Sequence, residues 1–225
     1  KRDYLAFEAC EYVESFLHFH PFLSIITNVE EDHLDYFSDI NHIISSFQKF
    51  ARLTSPYGCI IVCSDDKHAT QVVQNVDKKI IFYGIKEKNA DYTAAEIQYD
   101  AMGCPRFTVR RRGEDVIDIC LKVAGEHNVL NALGVFAAAD FLGIAPEAIK
   151  EGLESFTGTK RRFEHIGSYR GCDIVDDYAH HPTEIEATLK TAKSMHYQNT
   201  WVVFQPHTYS RTRALLKEFA QALSL

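Results

Sequence analysis

The first half of the chain alternates short apolar runs with segments of helical periodicity. Apolar residues spaced three and four apart predict an amphipathic helix over residues 40–53, and Pro56 and Gly58 end that pattern. A second helix is predicted over residues 69–76. The apolar runs predict strands over residues 4–7, 23–27, 59–63 and 79–83. Strands separated by helices are typical of a parallel sheet with crossover connections.

The pattern changes after Gly84, which ends the fourth strand. Three strands follow without helices between them, over residues 92–99, 106–112 and 116–123, and they predict a small antiparallel patch. An Ala- and Leu-rich helix is predicted over residues 126–142. Another helix begins at Pro146, because proline is favoured in the first turn.

A domain boundary is predicted near residues 156–160, beyond which the strand–helix pattern restarts. The later elements are strands over residues 172–175 and 200–204 and helices over 182–195 and 212–223. We therefore predict an α/β protein. A mostly parallel-sheet domain with a small antiparallel patch covers residues 1–158, and the start of a Rossmann-like α/β domain covers residues 159–225.

Composition narrows the classes of function. Hydrophobic residues make up 46% and charged residues 24% of the chain, as is typical of a folded globular protein. The net charge of −7 argues against binding of nucleic acid or of an anionic membrane surface. The apolar run at residues 132–139 is too short for a bilayer span, so we expect no membrane insertion. Six scattered cysteines favour reduced thiols and a cytoplasmic location.

Two acidic segments follow predicted strands in the first half. Glu8 ends the first apolar run, and the segment 30–35, which contains His33, follows the second. Ligands of an open parallel sheet collect beyond the carboxyl ends of its strands, and one crossover would bring Glu8 and His33 side by side. A carboxylate and an imidazole there could bind Mg²⁺ or Mn²⁺. The spacing alone rather favours a solvated acidic loop with a structural histidine.

Two further groups lie in the middle of the chain. His127 and Asn131 share one face of a predicted helix, where an imidazole and an amide could contact the edge of a purine. Helix capping by Asn128 is the simpler explanation of that motif. The basic residues 160–162 lie at the predicted boundary and suit a phosphate or a carboxylate, although a solvated linker has the same composition.

Two polar loops follow the strands predicted in the last third. Residues 176–184 combine two aspartates, a tyrosine and two adjacent histidines, and residues 204–213 include Arg211 and Arg213. Packing does not explain so many functional groups in the first loop. Since the carboxyl ends of neighbouring strands meet at one edge of a sheet, the two loops predict a single site.

These motifs taken together resemble the Mur ligases, which form an amide bond with ATP in the synthesis of peptidoglycan precursors. They occur in family order over nearly the whole chain, at residues 7–12, 27–35, 125–132, 161–164, 176–184 and 204–212. The phosphate-binding loop G-x-x-x-x-G-K-[ST] is absent, and so is the N-terminal domain that holds the UDP group in that family. We therefore expect the chain alone not to turn over.

The resemblance implies ATP and Mg²⁺ as cofactors, with Mn²⁺ as a substitute, and UDP-N-acetylmuramate and L-alanine as substrates. Residues 1–158 then correspond to the central ATP-binding domain and residues 159–225 to the amino-acid-binding domain. The implied catalytic residues are Glu8 and His33, which hold metal ions, and Arg162, which reaches the phosphates. The implied nucleotide contacts are His127 and Asn131 to the adenine and Asp176 or Asp177 to the ribose. The implied amino-acid contacts are Tyr178, His180 and His207, with Arg211 holding the carboxylate of L-alanine.

Other functions stay open at this point. A murein-tripeptide recycling ligase shares the central motifs, although residues 182–184 and 205–207 argue against it. A non-catalytic module with a Mur-like scaffold is a second alternative. Thr208 stands where several relatives carry arginine, and Lys49 is not assigned the role of the carbamoylated lysine of other Mur ligases. A third alternative is a metal-dependent hydrolase that uses Asp176, Asp177, His180 and His181.

Overall fold

The structure is a computed structural model that describes residues 4–225 and divides into two compact units, one ending at Phe82 and the other beginning at Tyr83. The strands are β1 (Leu23–Ile26), β2 (Cys59–Cys63), β3 (Ile80–Gly84), β4 (Tyr92–Tyr99), β5 (Pro105–Arg111), β6 (Glu114–Cys120), β7 (Glu164–Tyr169) and β8 (Cys172–Asp176). The helices are α1 (Ile40–Leu53), α2 (Lys67–Val72), α3 (Glu126–Phe141), α4 (Pro146–Ser155), α5 (Pro182–Ser194), α6 (Tyr209–Ala214) and α7 (Leu216–Leu223), and a 3-10 segment covers Tyr12–His18.

The sheet topology confirms the predicted α/β class. One sheet has the strand order β1-β2-β3-β4-β5-β6, and a separate sheet consists of β7 and β8. The pairs β1–β2 and β3–β4 are parallel, whereas β4–β5 and β5–β6 are antiparallel. No helix within residues 4–225 is long and apolar enough to cross a membrane.

The core of the first unit forms around β2. All five residues of β2 are buried, which fits an uninterrupted apolar sequence with strands on both sides. Helix α1 packs Ile43, Ile44 and Ala51 into the cluster that contains Ile60 and Val62. The helix begins at Ile40 because the preceding Asp39 side chain accepts the backbone N–H of His42 at 2.9 Å.

In the second unit, helix α3 packs close to the sheet. A Cβ atom on Gly134 would lie 3.1 Å from Cζ of Tyr83, so glycine allows this approach. The Tyr92 hydroxyl donates to Asp140 of α3, and Asp140 also accepts from Arg111 Nη1 at 2.9 Å. Burial, followed by the bond to Asp140, raises the pKa of Tyr92, so its hydroxyl stays a donor at neutral pH. A second cluster joins α5 to the last helices through Ile185, Leu215, Phe219 and Ala222.

Two predicted strands do not form. Residues 4–7 and 200–204 are irregular, with Leu5 86% and Val203 100% exposed. An apolar run becomes a strand only where a neighbour pairs its backbone N–H and C=O groups, and no strand within residues 4–225 pairs with either segment. The helix predicted over residues 212–223 forms as α6 and α7, separated at Leu215, whose ψ of 28° interrupts the helix.

The strand β7 is absent from the sequence prediction because its residues are polar and do not alternate. It forms through its turn to β8, where Arg170 and Gly171 have φ values of 51° and 80°. Arg112 and Gly113 close β5 and β6 in the same way, with φ values of 52° and 86°. Two successive residues with positive φ match a type I′ hairpin turn, in which glycine is favoured.

The turn at Gly113 gives a stability prediction. Gly113→Ala should destabilise the protein by about 1 kcal/mol, because the positive φ of Gly113 disfavours any residue with a Cβ. No atom lies within 4 Å of the added Cβ, so the backbone conformation alone causes this loss. Gly152→Ala is the matched control. Gly152 lies inside α4 with open space around it, so the same substitution should stabilise by about 0.5–1 kcal/mol.

Urea denaturation of the two variants and the wild type measures both effects. Equal shifts in the same direction would contradict the assignment of a type I′ turn to residues 112–113.

Candidate functional site

In the first unit, His33 lies in the loop that follows β1. Its backbone is left-handed, with a φ of 54°, and its N–H donates to Asp32 Oδ1 at 2.7 Å. Its Nε2 atom lies 3.4 Å from Glu11 Oε1 and 3.9 Å from Asp32 Oδ2. The imidazole therefore stands beside two carboxylates, which supply the oxygen atoms that Mg²⁺ prefers.

Glu8 lies on an irregular, exposed segment instead of ending a strand. Within residues 4–225, no group of three His, Cys, Asp or Glu side chains converges as a full set of metal ligands. Mg²⁺ is commonly held by one or two protein ligands, with water and substrate phosphates completing its shell. His33 Nε2 and Glu11 Oε1, which lie 3.4 Å apart, could supply one or two ligands of such an open site, and the sequence analysis did not single out Glu11.

In the second unit, three polar residues at the start of α3 form a short chain of hydrogen bonds. Asn128 Nδ2 donates to the Ala124 carbonyl at 2.8 Å and contacts His127 Nε2 at 3.2 Å. Asn131 Nδ2 donates to Asn128 Oδ1 at 3.3 Å. Asn128 thus orders this helix end, and His127 and Asn131 lie about one turn apart on one face of the helix.

The ring of His127 is affected by groups from the last third of the chain. Desolvation of the ring lowers the pKa of His127, the charge of Asp177 raises it, and the charge of Arg162 lowers it. The net direction is down, so the imidazole is neutral at pH 7. The charges of Arg162 and Asp177 thus contribute to the electrostatic environment of His127.

Glu184, in the first turn of α5, organises the loop before that helix. Its Oε2 accepts the backbone N–H groups of His180 at 2.9 Å and His181 at 3.2 Å, and its Oε1 lies 3.3 Å from Arg162 Nη1. Burial raises the pKa of Glu184, but the N–H donors and the nearby charges of His180 and Arg162 outweigh burial and lower it. Glu184 lies in the motif at residues 176–184 but had no predicted role, although Glu three residues after a helix N-cap is a capping signal.

The two adjacent aspartates have different surroundings. Asp177 accepts the N–H of Ala179 at 2.7 Å, the N–H of Phe163 at 2.9 Å and the hydroxyl of Thr188 at 3.0 Å. Asp176 pairs only loosely with Arg161, at 3.5 Å. Both carboxylate oxygens of Asp177 are used inside the protein, which leaves Asp176 the better candidate for a hydroxyl of a bound ribose.

The aromatic and imidazole residues of the same loop lie together. His180 Nδ1 donates to the Tyr178 carbonyl at 2.9 Å, and the rings of Tyr178 and His180 are 5.1 Å apart. The ring of His207 lies 6.4 Å from that of His180, so the two polar loops predicted to share one site do meet. The guanidinium of Arg161 lies 4.5 Å from the centre of the Tyr178 ring.

Arg211 lies on the short helix α6. The helix begins where Thr208 Oγ1 accepts the backbone N–H of Arg211 at 3.4 Å. Thr208 is thus a helix cap in this chain.

Comparison with known proteins identifies both halves of the chain. The family model "Mur ligase middle domain" matches residues 1–139, and the model "Mur ligase, glutamate ligase domain" matches residues 161–225. The chain is 51% identical, over 97% of its length, to a UDP-N-acetylmuramate–L-alanine ligase of Acetivibrio thermocellus, of which it covers 47%. The chain therefore spans about half the length of the curated relatives it matches.

Solved structures show the same likeness. The crystal structure of the UDP-N-acetylmuramate-alanine ligase of Thermotoga maritima matches with a TM-score of 0.73 and 32% identity, over 93% of this chain and 45% of that one. A murein peptide ligase of Psychrobacter arcticus matches with a TM-score of 0.63 and 29% identity, over 86% of this chain and 39% of that one.

The aspartate pair gives a second stability prediction. Asp177→Asn should destabilise the protein by about 2 kcal/mol, because an amide NH₂ placed at Oδ2 would face two other donors. Asp176→Asn, the matched control, should change stability by less than about 1 kcal/mol, because it removes one exposed ion pair. Chemical denaturation distinguishes these outcomes, and equal losses would remove the structural role of Asp177.

Glu184 gives a pH prediction. Because its pKa is lowered in the folded state, the stability it contributes is complete above the usual pKa of a glutamate, about 4.3. It is lost as the pH falls through the folded-state pKa. The stability difference between wild type and Glu184→Gln should therefore be largest near neutrality and shrink below about pH 4.

Denaturation curves at several pH values test this expectation. Glu186→Gln is the control, since Glu186 forms only an exposed pair with Lys190 in the same helix. A difference for Glu184→Gln that grows as the pH falls would reverse the assigned sign.

Proposed function

The chain belongs to the Mur ligase family, and on that premise we propose that it serves the ATP-dependent joining of L-alanine to UDP-N-acetylmuramate, a step in peptidoglycan precursor synthesis. The likeness to curated alanine-adding ligases over 97% of the chain carries this proposal. We further propose that residues 1–158 form the central ATP-binding domain and residues 159–225 the amino-acid-binding domain. The two family models, which match residues 1–139 and 161–225, support that division.

The reaction has two steps. A carboxylate oxygen of UDP-N-acetylmuramate attacks the γ-phosphorus of ATP, and ADP leaves. The amine of L-alanine then attacks the acyl carbon, the C–O bond to phosphate breaks and phosphate departs. The enzyme has to orient the reactants, neutralise phosphate charge and exclude water.

The residues of the second unit suit the nucleotide and the amino acid. Arg162 donates to Glu184 through Nη1, and this contact fixes its guanidinium while other N–H groups stay available for phosphate oxygens. His127 and Asn131 are proposed to contact the adenine. Asp176 is proposed to contact the ribose, and Asp177 to hold the loop that carries it.

The remaining roles follow the surroundings of each side chain. Tyr178, His180 and His207, whose rings form a contiguous set, are proposed to line the amino-acid pocket, and Arg211 to bind the carboxylate of L-alanine. His33, with Glu11 beside it, is proposed to hold one Mg²⁺, and Glu8 is proposed to hold a second, as the resemblance implies. Bound Mg²⁺ would supply charge neutralisation of the phosphates. Because the six cysteines are free thiols, we also propose a cytoplasmic location.

A coupled assay of ADP release in the complete protein that contains this chain tests the activity. ADP should form only with UDP-N-acetylmuramate, ATP and L-alanine all present. Turnover with a peptide acceptor in place of L-alanine would identify a murein peptide ligase instead. No turnover with either acceptor would identify a non-catalytic module.

His33→Ala should lower turnover roughly a hundredfold or more, because the cation that it is proposed to hold supplies several kcal/mol of transition-state stabilisation. The melting temperature should stay close to that of wild type. His20→Ala, which changes an exposed histidine of the same unit, is the control and should keep full activity. Early melting of His33→Ala with unchanged specific activity would assign His33 to structure.

A further inference from the structure

The backbone of His33 is fixed from three directions. Its N–H donates to the Asp32 side chain, and its carbonyl accepts from the N–H groups of Tyr36 at 2.8 Å and Phe37 at 2.9 Å. Its positive φ is unfavourable for a residue with a Cβ, so these bonds hold a conformation that the chain alone disfavours. Such strain is typical of positions that present a functional side chain.

Two consecutive residues hold the imidazole of His33. They are Glu11, which precedes the 3-10 segment, and Tyr12, which is its first residue. The ring of Tyr12 packs against the imidazole with a centroid distance of 4.7 Å and an interplanar angle of 36°. Glu11 Oε1 lies 3.4 Å from Nε2. Tyr12 is tethered to the histidine loop as well, because its hydroxyl donates to Asp35 Oδ2 at 3.0 Å.

The segment that carries Tyr12 is itself anchored under strain. Val13 and Glu14 have φ values of 49° and 57°, and a β-branched residue rarely adopts that conformation. Glu14 binds Lys49 of α1 at 2.9 Å, and the Phe16 ring stacks on Phe50 of the same helix at 4.7 Å. Tyr12 therefore approaches His33 from a segment that is also anchored on α1.

We propose that Tyr12 is a positioning residue that holds the His33 imidazole in a single orientation for cation binding, with Asp35 as its anchor. The inference rests on the proposed function, in which His33 is a ligand of Mg²⁺. A side chain that only filled the core would be buried, whereas Tyr12 is 37% exposed. Its hydroxyl donates to Asp35, which lies in the loop that carries His33. Partners that orient a metal-binding histidine typically contribute about 10- to 100-fold in affinity or activity.

The test compares Tyr12→Leu with Tyr12→Phe in the complete protein, labelled with ¹³C at histidine. Tyr12→Leu removes the ring and should lower kcat about 10- to 100-fold while the KM for L-alanine and the melting temperature stay near wild type. The ring-proton signal of His33 should lose the ring-current shift from Tyr12 and broaden less when Mn²⁺ is added. Tyr12→Phe keeps the ring without the tether and should show an intermediate loss of kcat, similar to that of Asp35→Ala, which removes the same hydrogen bond.

Asp35→Asn retains an acceptor for the Tyr12 hydroxyl and should resemble wild type more closely than Asp35→Ala. Tyr57→Leu is the matched control, because the Tyr57 side chain is 86% exposed. This variant should leave kcat and the His33 ring-proton signal unchanged. A Tyr12→Leu variant with wild-type kcat and an unmoved His33 signal would overturn the positioning role. So would a loss of kcat that merely follows a loss of folded protein.

A failure of the proposed function can be distinguished from a failure of the positioning role of Tyr12. If His33→Ala keeps full turnover, and Mn²⁺ does not broaden the His33 signal of the wild type, then His33 binds no cation and the premise fails. If His33→Ala loses turnover but Tyr12→Leu does not, only the role of Tyr12 is wrong.

Discussion

Side-chain carboxylates that accept backbone N–H groups fix the loops that carry the candidate chemistry. Asp32 holds the backbone of His33, Asp177 connects Ala179 of its own loop to Phe163, which precedes β7, and Glu184 holds His180 and His181. A loop beyond a strand has backbone donors that no ladder satisfies, and each must find an acceptor. An ionised carboxylate is a strong acceptor for them, since charge-assisted hydrogen bonds are roughly twice as strong as neutral ones.

The same constraint explains why neighbouring residues of one type have different tasks. Asp177 uses both oxygens on internal donors, whereas Asp176 has one loose contact with Arg161. Arg161 packs on the Tyr178 ring, whereas Arg162 pairs with Glu184. A motif that contains such a pair is recognisable from sequence. Which member of the pair has a structural role depends on which side chain contacts internal partners in the fold.

The sequence predicted elements well where one residue pattern determines them. Helix α1 was predicted with its observed bounds from apolar spacing, and β2 from an unbroken apolar run. Strand β7 could not be predicted, because a turn with two positive φ values creates it and its residues carry no pattern. The strand predicted over residues 200–204 is wrong for the opposite reason. The composition of these residues favours a strand, but no neighbouring strand within residues 4–225 pairs with them. Glu11 was missed because spacing along one crossover does not tell which carboxylate of an acidic motif faces His33.

Arg162, the proposed phosphate contact, illustrates how a fixed carboxylate orders a guanidinium before an anion binds. A guanidinium that bound only water would lose side-chain freedom when a phosphate arrived, and that ordering opposes binding. Glu184 removes part of this cost in advance, because its Oε1 lies 3.3 Å from Nη1. Glu184 also accepts two backbone N–H groups, so its negative charge is shared among three donors rather than neutralising Arg162 alone. The guanidinium stays 55% exposed, and it can therefore offer its remaining N–H groups to a phosphate without a rearrangement of the loop.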